Sequence, residues 1–274
     1  MGELDLATVV AANEAWVSAP EGSEVVETAE YRLVRFPQRF THRLRVQWVR
    51  SARPAEAVLG DVVARAAEYG LPEISVQVKP GAPDGLADAL LGRGARLADT
   101  SDLLAMALPA SIPAPDLAGI ETRWLVTPEV AYDANTVGMS AFGGSRAADD
   151  VLARRAATLR DSLAAGTGGA LVAYLDETPV AAGGVEIVDG VGRLWGGAVL
   201  EAYRGRGIYR ALVAARMRYA AEHGATMAFT HGAVATSSPI LRRLGFTSYG
   251  QERLYRLPID GGPPGRPTVA AGAG

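Results

Sequence analysis

Apolar residues recur at two spacings along the chain, and the changes of spacing mark out its elements. Leu4 to Val17 predicts a short helix with Leu6, Val9, Val10, Trp16 and Val17 toward one side, a face that Asn13 interrupts. Gly22-Ser23 ends that pattern. Tyr31 to Phe36 and Arg43 to Val49 read as strands, the second alternating Leu44, Val46 and Trp48. Pro54 opens a helix, Ala55 to Tyr69, which Gly70 stops. Ile74 to Val78 is a strand, Pro80-Gly81 a turn, Pro83 to Leu91 a short helix and Leu103 to Leu108 a strand.

A linker, Pro109-Ala110-Ser111-Ile112-Pro113-Ala114-Pro115, follows, extended and semi-rigid by composition. Beyond it come a strand (Glu121 to Val126), a helix (Pro128 to Met139) with Thr127 as N-cap, a loop (Phe142 to Ser145) and a helix (Ala147 to Ala165) broken by Gly166 to Gly169. Leu171 to Leu175 and Val180 to Val188 are strands. Asp189-Gly190 is a two-residue turn, which sets Val188 against Val191 and Glu186 against Arg193. Leu194 to Leu200 is an apolar strand. Ile208, Leu212, Ala215 and Tyr219 then recur at helical spacing up to Gly224. A strand (Met227 to His231), a short helix, Gly245-Phe246 and a last strand complete the order.

That order, strand-helix-strand-helix-strand, also occurs in the first half. The first half therefore reads as a degenerate copy of the same fold, with an unrelated α/β domain as the alternative. The expected divisions are an accessory domain over 1–110, a linker over 111–119, a main domain over 120–258 and a disordered Gly/Pro/Ala tail over 259–274.

The chemistry concentrates at Val199-Leu200-Glu201-Ala202-Tyr203-Arg204-Gly205-Arg206-Gly207-Ile208-Tyr209-Arg210. It reads as a strand end, a basic glycine loop and a helix start. The first turn of a helix carries unpartnered N–H groups and a positive dipole end. Gly205 and Gly207 let a ligand approach the main chain, and Arg204, Arg206 and Arg210 add forked donors. Together they suit a diphosphate. Each charge-assisted hydrogen bond contributes about 1.5–3 kcal/mol. A P-loop would need Lys-Ser or Lys-Thr where Ile208-Tyr209 stands, and a dinucleotide fingerprint a small residue where Arg210 stands.

Arg204-Gly205-Arg206-Gly207-Ile208 instead resembles the coenzyme A pyrophosphate loop of the GNAT superfamily of N-acetyltransferases: Arg or Gln, two residues, Gly, one residue, then Gly or Ala. Tyr209 departs at the last position. Pro239-Ile240-Leu241-Arg242-Arg243-Leu244-Gly245-Phe246 resembles the short helix and Leu-Gly-Phe that close the family's core. The resemblance covers Ile120 to Pro258. It implies an α/β (α+β) fold with a mixed, mostly antiparallel central sheet flanked by helices, here in tandem. It also implies acetyl-coenzyme A as acyl donor and direct attack by an amine. In the first half, Ser51-Ala52-Arg53-Pro54 stands at the loop's place, without glycine and with one donor removed, so no coenzyme A is expected there.

The resemblance implies cofactor contacts at Val199, Leu200, Arg204, Gly205, Arg206, Gly207, Ile208, Tyr209 and Arg210. It places an oxyanion donor on the backbone near Val199 or Leu200. Ser237 and Ser238 either bond the cofactor or cap the short helix. The strand before the loop lacks the family's usual carboxylate or histidine. Glu186 is either a base acting through water or half of a cross-strand ion pair with Arg193. His231, where the sheet splays, is a candidate for proton transfer or a satisfied strand-end residue. Leu241 occupies the position of a tyrosine acid found in relatives, which leaves Tyr249 as a substitute acid or a packing residue. Glu129, Asp133, Asp149 and Asp150 suit a cationic substrate or a solvated helix face.

Composition narrows the partners. The net charge of −3 argues against nucleic acid. Zero cysteines exclude a thiol nucleophile, and three scattered histidines (His42, His223, His231) leave no metal centre expected. No secretory leader or membrane-length apolar run is present, so a cytoplasmic protein is expected. Lys79 is the sole lysine, which reads as GC-rich, bacterial codon usage. The expected partner is a small-molecule amine, and the expected state a monomer or homodimer. A catalytically weak acyl-coenzyme A sensor and an acetyltransferase of protein amines are the alternatives.

Overall fold

The structure is a computed structural model that describes residues 4–110, Ile112 and 119–259. Most of the expected linker, and the tail beyond Ile259, lie outside the described residues. The chain forms two compact units. One comprises Val10–Leu103 together with the stretch from Tyr249. The other comprises Leu104–Ser248 with the stretch up to Val9.

The first unit holds most of α1 (Leu6–Ala15), then β1 (Glu24–Glu27), β2 (Tyr31–Arg35), β3 (Leu44–Val49), α2 (Ala55–Ala67), β4 (Glu73–Val78), α3 (Leu86–Gly92) and the start of β5 (Arg96–Ala107). Its strand order is β1-β2-β3-β4, followed by β11 (Thr247–Pro258), the last strand of the chain, and then β5. The period of two along β3 and β4 sends Leu44, Val46, Ile74 and Val76 to one face. There they pack on Val58, Leu59 and Val62 of α2 and Leu86 and Leu90 of α3. Tyr255 and Leu257 of β11 complete this core.

Two strands differ from expectation. β1 is an exposed edge strand, closed by cross-strand ion pairs Arg32–Glu27 and Arg35–Glu24. Charges on an edge deter pairing with another chain and also hide the strand's apolar pattern. β5 starts at Arg96, seven residues before Leu103, because its polar first half is largely exposed. The sequence also assigns the last strand to the second domain. Tyr249 to Pro258 instead belong with the first unit, where β11 pairs antiparallel with β4 from Arg253↔Val78 to Pro258↔Glu73. Conversely, β5 from Leu104 onward belongs with the second unit.

The second unit holds β6 (Ile120–Trp124), α4 (Pro128–Phe142), α5 (Asp149–Ala164), β7 (Gly168–Leu175), β8 (Thr178–Val188), β9 (Val191–Val199), α6 (Ile208–Glu222), β10 (Met227–Ala233) and α7 (Ser237–Arg243). Its strands run β10-β9-β8-β7-β6. Thr127 caps α4 as expected, its hydroxyl accepting from the Val130 N–H. The β8–β9 hairpin has the expected register, Val188↔Val191 and Glu186↔Arg193. One face of the sheet packs Leu194, Leu171 and Ala181 against Val213, Met217, Ile208 and Leu212 of α6. The other packs Ala170, Val172 and Ala182 against α4 and α5. No helix among the described residues is long and apolar enough to cross a membrane.

The hairpin contains a bulge. Ala182 pairs with Ala198 and Gly184 with Trp195, so Gly196 and Gly197 together oppose Gly183. Gly196 has φ +60°, and the Trp195 ring lies across Gly184 where a Cβ would stand. Gly184→Ala is therefore expected to lower unfolding stability by about 1–3 kcal/mol, the range for overpacking. Urea denaturation followed by tryptophan fluorescence measures it.

Candidate active site

The site begins where two strands part. β9 and β10 run parallel and pair only through Val191↔Met227, Gly192↔Ala228 and Arg193↔Phe229. Beyond that rung β9 continues to Val199 and β10 to Ala233, which opens a fork. The Thr230 hydroxyl donates to the Leu194 carbonyl at 2.9 Å and closes the base of the fork. At the far end of β9 the Leu200 N–H donates to the Val180 carbonyl at 2.9 Å, so it is already used. Alternation along the strand turns the Val199 N–H the other way, toward the fork. Of the Val199 and Leu200 N–H groups, only that of Val199 faces the fork.

A single 3-10 turn (Glu201–Tyr203) leads from the fork to α6. Gly205 and Gly207 have φ +75° and +83°, a region that favours glycine. Gly207 is the N-cap and brings no side chain to the helix start. The first intrahelical bond is Ala211 N–H to the Gly207 carbonyl at 3.1 Å. The N–H groups of Ile208, Tyr209 and Arg210 precede it in the uncapped first turn. A Cβ at Gly205 would meet open space. Arg204 folds back so that its Nε donates to the Val199 carbonyl at 3.3 Å. Arg206 is exposed, 5.4 Å from the Tyr203 ring centroid. The Nε of Arg210 is buried with no hydrogen-bond partner. An orphaned guanidinium donor beside an uncapped helix start fits a diphosphate.

Tyr209, the departure from the family pattern, turns its ring away from this surface. Its Cε2 packs beneath Gly197 of β9, beside the Arg216 guanidinium. Burial pushes the phenol pKa up.

The catalytic candidates divide. Glu186, Arg193, Trp195, Phe229 and His231 share the face of the sheet that α4 and α5 cover. His231 is half-buried beside the opened part of the fork and edge-on to Phe229, with centroids 5.3 Å apart. Glu186 is exposed and 3.9 Å from the Arg193 guanidinium, which is the cross-strand ion pair. The Ser237 hydroxyl accepts from the Ala233 N–H at 2.9 Å and ties β10 to α7. Ser238 is buried behind Gly232, and Leu241 lies in the core. Tyr249 stands on the stretch of β11 that belongs with the first unit.

Pro128, Glu129, Tyr132, Asp133, Asp149 and Leu152 line a cavity of about 340 Å³ between the starts of α4 and α5. Its acids have partners. Asp133 accepts from the Tyr174 hydroxyl at 2.7 Å, Asp149 pairs with Arg146, and the Thr127 hydroxyl holds Glu129 below the usual carboxylate range. Asp150 pairs with Arg154 at 2.8 Å.

Sequence reasoning missed the bulge and the buried Arg216 beneath it. The available signal was two Gly-Gly pairs, Gly183-Gly184 and Gly196-Gly197, at opposing positions of one hairpin.

The first unit has its own parallel pair, β3 and β4, joined at Arg45↔Ser75 and Val46↔Val76. Here the chain supplies its own anions. Arg50 meets Glu14 at 2.7 Å, and Arg53 meets Glu30 at 2.6 Å and Asp61 at 2.7 Å. The Ser51 hydroxyl also bonds Glu30. Lys79, at the end of β4, donates to the carbonyl oxygens of Asn13 and Trp16 near the end of α1. The cations at the loop's counterpart are thus neutralised internally.

Residues 140–246 match the Acetyltransferase (GNAT) family. A GCN5-related N-acetyltransferase from Kribbella flavida aligns at 21% identity and TM-score 0.62, covering 87% of this chain and 90% of its own. Another from Sphaerobacter thermophilus aligns at 19% and 0.63, over 89% and 84%. A tandem GNAT protein from the clavulanic acid biosynthesis pathway aligns at 18% and 0.60, over 94% and 89%. No curated protein matches the chain. The family match falls within the second unit, and the alignments to solved structures show a shared fold that extends across both halves of the chain.

Arg210→Ala removes the orphaned donor and is expected to weaken acetyl-coenzyme A binding by about tenfold or more. Arg53→Ala, in the first unit, is expected to leave affinity and stoichiometry unchanged. Calorimetric titration reads both.

Proposed function

We propose that the chain is an acetyl-coenzyme A-dependent N-acyltransferase that moves an acetyl group to a primary amine of a small molecule by direct attack. The observation that carries this reading is the opened β9–β10 fork ending on an uncapped, arginine-rich helix start with an orphaned guanidinium donor. The N–H groups of Ile208, Tyr209 and Arg210, with Arg204 and Arg206, would hold the diphosphate. Bound acetyl-coenzyme A supplies a thioester whose carbonyl carbon accepts the amine.

The chain's own residues meet three needs. The Val199 N–H would stabilise charge developing on the thioester oxygen. An alkylamine with a pKa near 10.4 must lose a proton before attack, which costs about 4–5 kcal/mol at neutral pH. His231, on the α4–α5 face beside the fork, would take it, with Glu186 reaching only through water. As the C–N bond forms, the C–S bond breaks and the sulfur leaves with its electron pair, then takes a proton from solvent. Glu129 and Asp133, in the cavity between the starts of α4 and α5, support a cationic acceptor.

Thiol release from acetyl-coenzyme A in the presence of a diamine, an aminosugar, an amino acid and an amine-bearing peptide tests the reading. Release with one of the small amines, reduced about tenfold or more by His231→Ala, is expected. Tight binding without release in any mixture would favour an acyl-coenzyme A sensor. Release with the peptide alone would favour a protein-modifying enzyme.

A further inference from the structure

Arg216 is the largest fully buried side chain among the described residues, 2% exposed in the middle of α6. No carboxylate among the described residues pairs with it. Its Nε donates to the Leu212 carbonyl at 3.1 Å. Its Nη1 donates to both the Gly184 and the Trp195 carbonyls at 3.3 Å, bridging β8 and β9 across the bulge. The Tyr209 ring, from the first turn of α6, packs beside it under Gly197. The strands come down so closely that a Cβ at Gly183 would lie 3.0 Å from Nη1 and one at Gly197 3.2 Å from Nη2.

A buried, unneutralised cation is a poor stabiliser. An apolar side chain of similar volume would fill the same space without the desolvation penalty. In some proteins a buried ionic group fixes a geometry that packing alone leaves loose. Gly196-Gly197 is such a place, because two glycines have wide backbone freedom. The Trp195 carbonyl belongs to the same planar peptide as the Gly196 N–H, so fixing one fixes the other. The strand then continues directly to Val199.

We propose that Arg216 is a positioning residue for acyl transfer: with Tyr209 it locks the Trp195–Gly197 bulge of β9 to β8 and to the first turn of α6. One rigid guanidinium thereby sets the strand that lines the fork against the helix start that takes the diphosphate. The catalytic part of this inference rests on the acyltransferase reading; the mechanical part does not. Loss of the tie should leave the phosphate end intact and misplace the reacting end, and small misplacements at a reacting centre reduce turnover steeply.

The test uses the full chain with Arg216→Met and Arg216→Lys. Four readouts are thermal melting, acetyl-coenzyme A calorimetry, kcat and KM for thiol release with the amine the parent accepts, and amide hydrogen exchange over residues 193–200. For R216M the expected results are a melting temperature no lower than the parent's and KM for acetyl-coenzyme A within about threefold. Its kcat should be lower by about tenfold or more, with faster exchange at the bulge. R216K, which keeps the charge but not the fork of donors, should fall between. Unchanged kcat together with unchanged exchange would overturn the proposal. So would a kcat per folded molecule that stays at the parent level while only melting falls. Should R216M not fold, R216K decides: faster bulge exchange supports the tie and parental exchange overturns it. Should the parent release no thiol with any amine, the acyltransferase reading fails, and exchange in R216M still supports or overturns the tie.

Discussion

A parallel strand pair that stops pairing after three rungs governs the second unit. Once β9 and β10 part, their facing backbone groups lose their ladder partners, and such groups need others. At the base of the fork the Thr230 hydroxyl takes the Leu194 carbonyl. Further out, the Arg204 side chain takes the Val199 carbonyl. The Val199 N–H is left facing the opening, and the loop delivers an uncapped helix start at its end. In the proposed reading the fork would supply a backbone donor and the helix start a diphosphate seat, both set by one strand.

The same architecture in the first unit has a different outcome. Its parallel pair also parts early, but Pro54 begins the following helix and the local arginines face Glu14, Glu30 and Asp61. Lys79 bonds the carbonyls near the end of α1. Among the described residues the loop arginines of the second unit meet no carboxylate, whereas those of the first unit are paired. The two repeats also exchange their last strands, since β11 groups with the first unit and the end of β5 with the second.

Much of this was legible in the sequence because local rules decide it. The Asp189-Gly190 turn set the β8–β9 register, Thr127 capped α4, and the Arg-Gly pattern marked the start of α6. Long-range choices were not legible. The strand exchange depends on which edge β11 finds, and no local spacing encodes that. β1 was hidden by its charges and the first half of β5 by its polar residues. Tyr209 departs from the family's pattern, and the sequence does not show that its ring turns under Gly197. Arg216 sat at a core position of an otherwise ordinary helix. Only the opposing Gly-Gly pairs hinted that something large lay beneath the hairpin.

The central claim is that the loop after β9 seats the diphosphate of acetyl-coenzyme A. Calorimetry of acetyl-coenzyme A on the parent chain and on the double variant Arg204→Ala with Gly207→Glu tests it most directly. Glutamate at 207 would place a carboxylate, on a backbone with φ +83°, where the anion should lie. The account predicts one site per chain in the parent and no measurable binding in the double variant, with both melting cooperatively. A parent that binds no acetyl-coenzyme A, or a folded double variant that binds as tightly as the parent, would contradict it.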